Sequence, residues 1–201
     1  PGEAASRILP GVKLRLMIYD GKETRTVEVP VEEQRFIRSG ESASLERVTA
    51  GKAAADDPFH AEFRASATGD AFRLDVRIRD SVRGGSCVPD FWEGDCLEFY
   101  FDRSPLADIE RREYRKDTFR LFLSAGADGK PARLDVLGDV NPSNIRWSAS
   151  DTPSGWTAHL ELPWSELRLP VNSPVSFDVS ADDNNGTARR LQKTWSGTVY
   201  N

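Results

Sequence analysis

The sequence predicts an all-β fold, an antiparallel β-sandwich of the jelly-roll kind with at most one or two short helices. Apolar and polar residues alternate with a period of two in many short segments, as in strands with one buried face. Turn-forming residues separate these segments, and short strands at regular spacing favour a sandwich. With 38% hydrophobic residues among 201, the chain can fill the core of one domain.

The N-terminal half supplies two predicted hairpins. Residues 13–19 and 24–31 alternate on either side of the turn "DGKE", and residues 61–80 form the second hairpin. In its second strand one face carries Phe72, Leu74, Val76 and Ile78. The stretch 40–58 is small and polar, which predicts a loop or a brief helix.

Further strands are predicted at "CLEFYFD", "FRLFLSA", "ARLDVLG", "GWTAHLELPW" and "VSFDVSAD". A short helix is predicted over residues 104–116, where Ser104 can cap the first turn and Pro105 suits its first position.

Composition excludes several classes of function. The net charge is −5 without a basic cluster, so we expect no nucleic-acid partner, and short apolar runs predict no membrane insertion. No Gly-x-Ser-x-Gly, His-Glu-x-x-His or phosphate-loop motif occurs, which leaves an enzyme little support. The chain opens at Pro1, so we expect it to be a piece of a longer protein.

Two cysteines, Cys87 and Cys96, lie nine residues apart across a glycine-containing loop. They are either a disulfide of a secreted protein or two unpaired thiols.

The segment "DFWEGDCLEFYFD", residues 90–102, contains the most informative aromatic residue. Trp92 stands among acidic residues just before a strand, where its ring either covers the loop or contacts a ligand. Alternation turns Leu97, Phe99 and Phe101 toward the core, and it turns Glu98 outward.

The strand "FRLFLSA" has the same pattern and turns Arg120 and Phe122 outward with Tyr100. If the two strands are neighbours, one surface combines aromatic rings with a carboxylate and a guanidinium. Rings stack on the C–H faces of sugars and charged groups bind their hydroxyls, so the surface suits a glycan. The alternative is an exposed cross-strand Glu–Arg pair.

Four segments in order resemble family 9 carbohydrate-binding modules over residues 60–201: "RLDVRIRD", "WEGDCLEFYFD", "GWTAHLELPWSEL" and "VSFDVSADDNNGTAR…TW". The resemblance implies a β-sandwich, calcium ions in structural roles, and sugar binding without catalysis. We therefore expect one domain over residues 1–201. Residues 1–50 match the family poorly and are either an edge hairpin or the remainder of a preceding domain.

The resemblance also implies site residues. The sugar of such modules lies between two aromatic walls, which correspond to Trp92 and to Tyr200. Glu98 and Arg120 match polar contacts of the family, whereas Phe122 stands where a polar residue is expected.

For the calcium that the resemblance implies, the candidate ligands are the aspartates that close strands and loops, Asp80, Asp95 and Asp183. Calcium takes about six to eight oxygen ligands, which acidic loops can supply. The alternative is that each aspartate caps a turn.

We therefore expect a monomeric, non-catalytic module of an extracellular or cell-surface glycan-active protein, with the periplasm as a further location, that binds an oligo- or polysaccharide. The alternatives are a structural or protein-interaction sandwich without a sugar ligand and, less favoured, a glycoside hydrolase or lyase.

Overall fold

A computed structural model describes the backbone at residues 13–19 and 24–30, and the chain in full at 35, 37–82, 84, 94–103, 116–126, 131–186 and 188–196. The chain divides into two compact units, Pro1–Phe36 and Ile37–Asn201. In the first unit, β1 (Lys13–Tyr19) and β2 (Thr24–Pro30) form an antiparallel two-stranded sheet, as the alternation predicts.

The second unit contains two antiparallel sheets, which confirms the predicted all-β sandwich. The five-stranded sheet has the order β10-β11-β6-β5-β3, and its strands are β3 (Ser42–Ser44), β5 (His60–Ala67), β6 (Ala71–Arg79), β10 (Arg146–Thr152) and β11 (Gly155–Pro163). The six-stranded sheet has the order β4-β13-β12-β7-β8-β9, and its strands are β4 (Arg47–Gly51), β7 (Cys96–Asp102), β8 (Thr118–Ser124), β9 (Arg133–Leu137), β12 (Ser176–Asn184) and β13 (Arg189–Thr194).

The core lies between these two sheets and is rich in aromatic rings. Phe63 of β5 makes edge contacts with Trp195 at 5.3 Å and with Phe177 of β12 at 5.8 Å between ring centroids. Phe72 of β6 contacts Phe101 of β7 in the same way at 6.2 Å. Edge-to-face pairs contribute about 0.5–1.5 kcal/mol each beyond area burial, so these rings hold the sheets face to face.

The stretch 40–58 differs in part from its prediction as a loop or a brief helix. Residues 42–44 and 47–51 form β3 and β4, which are edge strands of the two sheets, while the rest of the stretch is loop and turn as predicted. β3 and β4 are short and polar, as edge strands that avoid pairing with other chains often are, so they lack the apolar alternation that identifies a central strand.

Helices are short in the described part of the chain. After Pro163, α1 spans Trp164–Leu167, and Pro142–Asn144 form a 3-10 turn. The helix predicted over residues 104–116 falls almost wholly outside the described residues. Across the described chain, no helix combines the length and the apolarity needed to cross a membrane.

Candidate functional site

The outer faces of the two sheets differ in solvent exposure. On the five-stranded sheet the outward charges Asp75, Arg77 and Arg79 are exposed, as is usual for an antiparallel sandwich. On the six-stranded sheet, outward Glu98 is only 4% exposed and outward Asp182 only 1%. Buried charges are costly unless they are paired, so this second surface is the candidate site.

We call this surface the polar face and define it by the outward side chains of four strands: Glu98, Tyr100, Arg120, Phe122, Asp182 and Gln192. The pairing of β7 with β8 sets Glu98 opposite Phe122 and Tyr100 opposite Arg120. The strands are therefore neighbours, and the outward direction of these four side chains is confirmed. Burial of Glu98 and Phe122 excludes the alternative of a fully solvated Glu–Arg pair.

The Glu98 carboxylate is held by hydrogen bonds on both oxygens. The Tyr100 hydroxyl donates to Oε2, and the Gln192 side-chain amide donates to Oε1 over 3.1 Å. Hydrogen bonds to a charged acceptor are among the stronger ones in proteins, so the carboxylate has a defined orientation.

Arg120 lies beside two aromatic rings. Its guanidinium carbon is 5.9 Å from the Tyr100 ring centroid and 5.8 Å from that of Phe122. Attraction between a cation and an aromatic ring extends to about 6 Å, so the rings help to place the guanidinium. The polar face thus combines an anionic acceptor, a cationic donor and aromatic surface.

Asp182 belongs to this surface, and the sequence interpretation missed it. It lies on β12 opposite Gln192, and Arg189 donates to its Oδ1 over 3.4 Å. Burial, followed by the charge of Glu98 and a hydrogen bond with it, raises the pKa of Asp182 well above its ordinary value. Alternation in "VSFDVSADD" could have turned Asp182 outward, although not shown that it lies near Glu98.

A groove of about 410 Å³ lies on the other outer face, that of the five-stranded sheet. Its lining includes the cross-strand pairs Glu62 with Arg77 and Arg64 with Asp75, which have opposite charges. Such pairs neutralise each other at a solvated surface, and the groove's aromatic residue, Phe63, is buried in the core. The groove is therefore a weaker candidate than the polar face.

The three aspartates predicted as metal ligands come together in the structure. Asp80 follows β6, Asp95 precedes β7 and Asp183 lies in β12, and one carboxylate oxygen from each is within 4.8 Å of the others. All three residues are buried. We call this group the aspartate cluster.

Backbone contacts fix the cluster. Asp95 accepts hydrogen bonds from the amides of Gly84 and Asn184, each over 2.9 Å, and Asp80 accepts one from Val82 over 2.9 Å. The last contact closes a turn, so the turn-capping alternative describes part of what Asp80 does. A Cβ on Gly84 would lie 2.6 Å from Asn184 Oδ1 and nearer still to its carbonyl oxygen, so only glycine fits there.

Electrostatics make the cluster suitable for a cation. Burial, with the charges of Asp80 and Asp183, raises the pKa of Asp95 to about 7. Burial also raises the pKa of Asp183, although Arg190 forms an ion pair with it. Crowded buried carboxylates are stabilised by a bound cation, and oxygen-only ligands are those that calcium prefers. The residues present therefore fit a calcium ion.

Three predicted residues lie outside the described part of the chain: Trp92, Tyr200 and Cys87. Their roles as aromatic walls and as a cysteine partner stay predictions. Cys96 is buried on the outer side of β7, next to Phe122.

Comparisons with known proteins agree on one family. The sequence model described as "Carbohydrate family 9 binding domain-like" matches residues 37–200. The fold is similar to a carbohydrate binding module family 9 from Caldicellulosiruptor kristjanssonii in complex with cellotriose, with a TM-score of 0.59, 14% identity and coverage of 77% of this chain and 72% of that one. The complex of such a module from that organism with glucose gives the same TM-score at 15% identity, covering 77% and 73%. No curated protein matches the sequence.

Proposed function

The chain belongs to the carbohydrate family 9 binding domain-like family, and from this premise we propose that it is a non-catalytic carbohydrate-binding module for a neutral oligo- or polysaccharide. The observation that carries the proposal is the polar face, where buried Glu98 shares one surface with Arg120 and two aromatic rings. Buried charges are costly unless they are paired, and the hydrogen bonds from Tyr100 and Gln192 offset this cost while they hold the Glu98 carboxylate in one orientation.

The chemistry of the polar face suits hydroxyl groups. Glu98 accepts hydrogen bonds and Arg120 donates them, and a sugar hydroxyl both donates and accepts. We assign the stacking walls to Trp92 and Tyr200, because aromatic rings cover the apolar faces of a pyranose. The fold neighbours in complex with glucose and cellotriose support glucose-based ligands as first probes.

We assign the aspartate cluster to a structural calcium ion, held by Asp80, Asp95 and Asp183. Bound calcium would supply positive charge that neutralises the three carboxylates. The cluster joins the end of β6, the start of β7 and the C-terminal end of β12. Because β7 carries Glu98, a cation there would stabilise the strand that presents the polar face.

We place the module in an extracellular or cell-surface protein that acts on glycans, as a monomeric accessory domain. Polymeric glycans occur largely outside the cytoplasm, and a binding module without catalytic groups is useful when it holds an attached enzyme near its substrate. The family, described as a binding domain, supports a non-catalytic role.

Isothermal titration calorimetry with glucose and cellotriose tests the proposal. We expect saturable binding that Glu98→Gln and Arg120→Ala each weaken by roughly tenfold or more, since each removes a charged hydrogen-bonding partner. Arg77→Ala, on the outer face of the five-stranded sheet, is the matched control and should bind like the wild type. If a panel of neutral, acidic and amino glycans gives no binding to the folded protein, the module is a structural or interaction domain instead.

A further inference from the structure

A line of hydrogen bonds crosses the polar face from its edge to its centre. The Thr49 hydroxyl on edge strand β4 donates to Gln192 Oε1 over 2.7 Å. The amide nitrogen of Gln192 donates in turn to Glu98 Oε1 over 3.1 Å. The three residues thus connect β4, β13 and β7, and the line crosses over β12.

The Gln192 amide is held at both of its ends. The Glu98 carboxylate only accepts hydrogen bonds, so the amide nitrogen Nε2 faces it, and the Thr49 hydroxyl donates to the remaining amide oxygen Oε1. The reverse orientation would set the amide oxygen against the carboxylate, where two acceptors repel each other. Thr49 therefore acts on Glu98 through Gln192, while Tyr100 holds the other carboxylate oxygen.

The backbone of β4 is irregular at Thr49. Gln192 pairs with Ala50 and the next residue, Lys193, pairs with Val48, so Thr49 is an extra residue in the ladder. Such a β-bulge redirects a side chain and is frequent beside functional sites. This bulge brings the hydroxyl of Thr49 onto the polar face.

We propose that Thr49 and Gln192 are positioning residues of the sugar site, which orient the Glu98 carboxylate for ligand hydroxyls. The inference rests on the proposed function and extends it to an edge strand. Glu98 is thus held by hydrogen bonds from Tyr100 on its own strand and from Gln192 on β13.

Two substitutions of Thr49 separate positioning from a merely structural role. Thr49→Ser keeps the hydroxyl and loses a methyl group, whereas Thr49→Val keeps the shape and loses the hydroxyl. β-Branched residues favour strands, so if Thr49 is only structural, the Thr49→Val protein should be more stable than Thr49→Ser and bind sugar at least as well. If Thr49 is a positioning residue, Thr49→Ser should bind sugar more tightly than Thr49→Val.

The measurement is calorimetric titration with cellotriose, beside thermal melting of each variant. We expect Thr49→Val to raise Kd roughly three- to tenfold, the range that one lost hydrogen bond allows, and Thr49→Ser to stay within about twofold. In a Gln192→Met background, Thr49→Val should have no further effect, because the line is already broken. The matched control is Thr157→Val on the five-stranded sheet, because the Thr157 hydroxyl donates to the Ser150 carbonyl oxygen over 3.4 Å and lies away from the polar face.

Three results overturn the inference in distinguishable ways. If Glu98→Gln weakens binding and Thr49→Val does not, the positioning role is wrong and the proposed function stands. If the loss of sugar affinity in each Thr49 variant follows the decrease in its melting temperature, Thr49 has a structural role only. If the folded wild type binds no glycan in the panel, the proposed function fails and the positioning role fails with it.

Discussion

Replacement of Asp57 by asparagine should remove a defined, pH-dependent part of the stability. Arg190 binds both oxygens of Asp57, with Nη1–Oδ2 at 2.5 Å and Nη2–Oδ1 at 3.0 Å. The side chain is 4% exposed, and the backbone amide of Phe59 also donates to it over 2.9 Å. The hydrogen bond with Arg190 is the main reason that the pKa of Asp57 falls from 3.8 to about 2.

The magnitude follows from this shift. A difference of nearly two pKa units between the unfolded and folded states corresponds to about 2.5 kcal/mol. Because the folded pKa is the lower one, the stabilisation is complete above the unfolded value of 3.8 and is lost as the pH falls through about 2. The Asp57→Asn protein should thus be less stable by about 2.5 kcal/mol near neutral pH and equal to the wild type below about pH 2.

Urea unfolding of both proteins over this pH range measures the effect, since the free energy of unfolding falls linearly with denaturant. Asp56→Asn is the matched control, because Asp56 is exposed and makes no ion pair with any residue that the structure describes. The reasoning is refuted if the difference between wild type and Asp57→Asn stays constant with pH. It is also refuted if Asp56→Asn gives the same pH-dependent difference.

Three further predictions concern the metal and the core. Chelation with EDTA should lower the melting temperature by about 5–10 °C, and added calcium should restore it, because a ligand at about 100 times its Kd contributes roughly 2.7 kcal/mol. The melting temperature of Asp95→Asn should not respond to EDTA. An unchanged melting temperature of the wild type in EDTA would exclude the calcium site. Gly84→Ala should cost about 1–3 kcal/mol and weaken the calcium response, because its Cβ has no room beside Asn184, and wild-type behaviour in melting would contradict this. Phe63→Ala should cost about 3–5 kcal/mol in urea unfolding, because its ring joins the two sheets; a loss below about 1 kcal/mol would mean that the ring does not hold them together.

Strands with one buried face could be predicted from the sequence. In β7 the alternation placed Leu97, Phe99 and Phe101 inward, and each is at most 3% exposed. The same pattern predicted the β5–β6 hairpin. These predictions succeed because the period of two is imposed locally by the pleat of the strand.

The edge strands β3 and β4 and the contacts across the sheet could not be predicted in this way. The bulge at Thr49 and the pairing of β4 with β13 join residues more than 140 positions apart, and no local pattern encodes that register. For the same reason Gln192 gave no signal as a partner of Glu98, although alternation correctly turned Glu98 outward. The burial of Glu98 could not be predicted, because an antiparallel sheet normally leaves its outer face in water.

The aspartate cluster shows an intermediate case. Its three residues were selected because they close predicted strands and loops of a chain that resembles a calcium-containing family, and the structure brings their carboxylates within 4.8 Å. Arg190 forms ion pairs with both Asp57 and Asp183, and these contacts depend on the tertiary fold, so no pattern in the sequence indicated them.

Titration of the wild type, Glu98→Gln and Trp92→Ala with cellotriose, followed by calorimetry and tryptophan fluorescence, tests the central claim most directly. Sugar binding on the polar face predicts saturable heat for the wild type and a loss of roughly tenfold or more in affinity for each variant, while thermal melting shows both still folded. Wild-type affinity in both variants would contradict the claim.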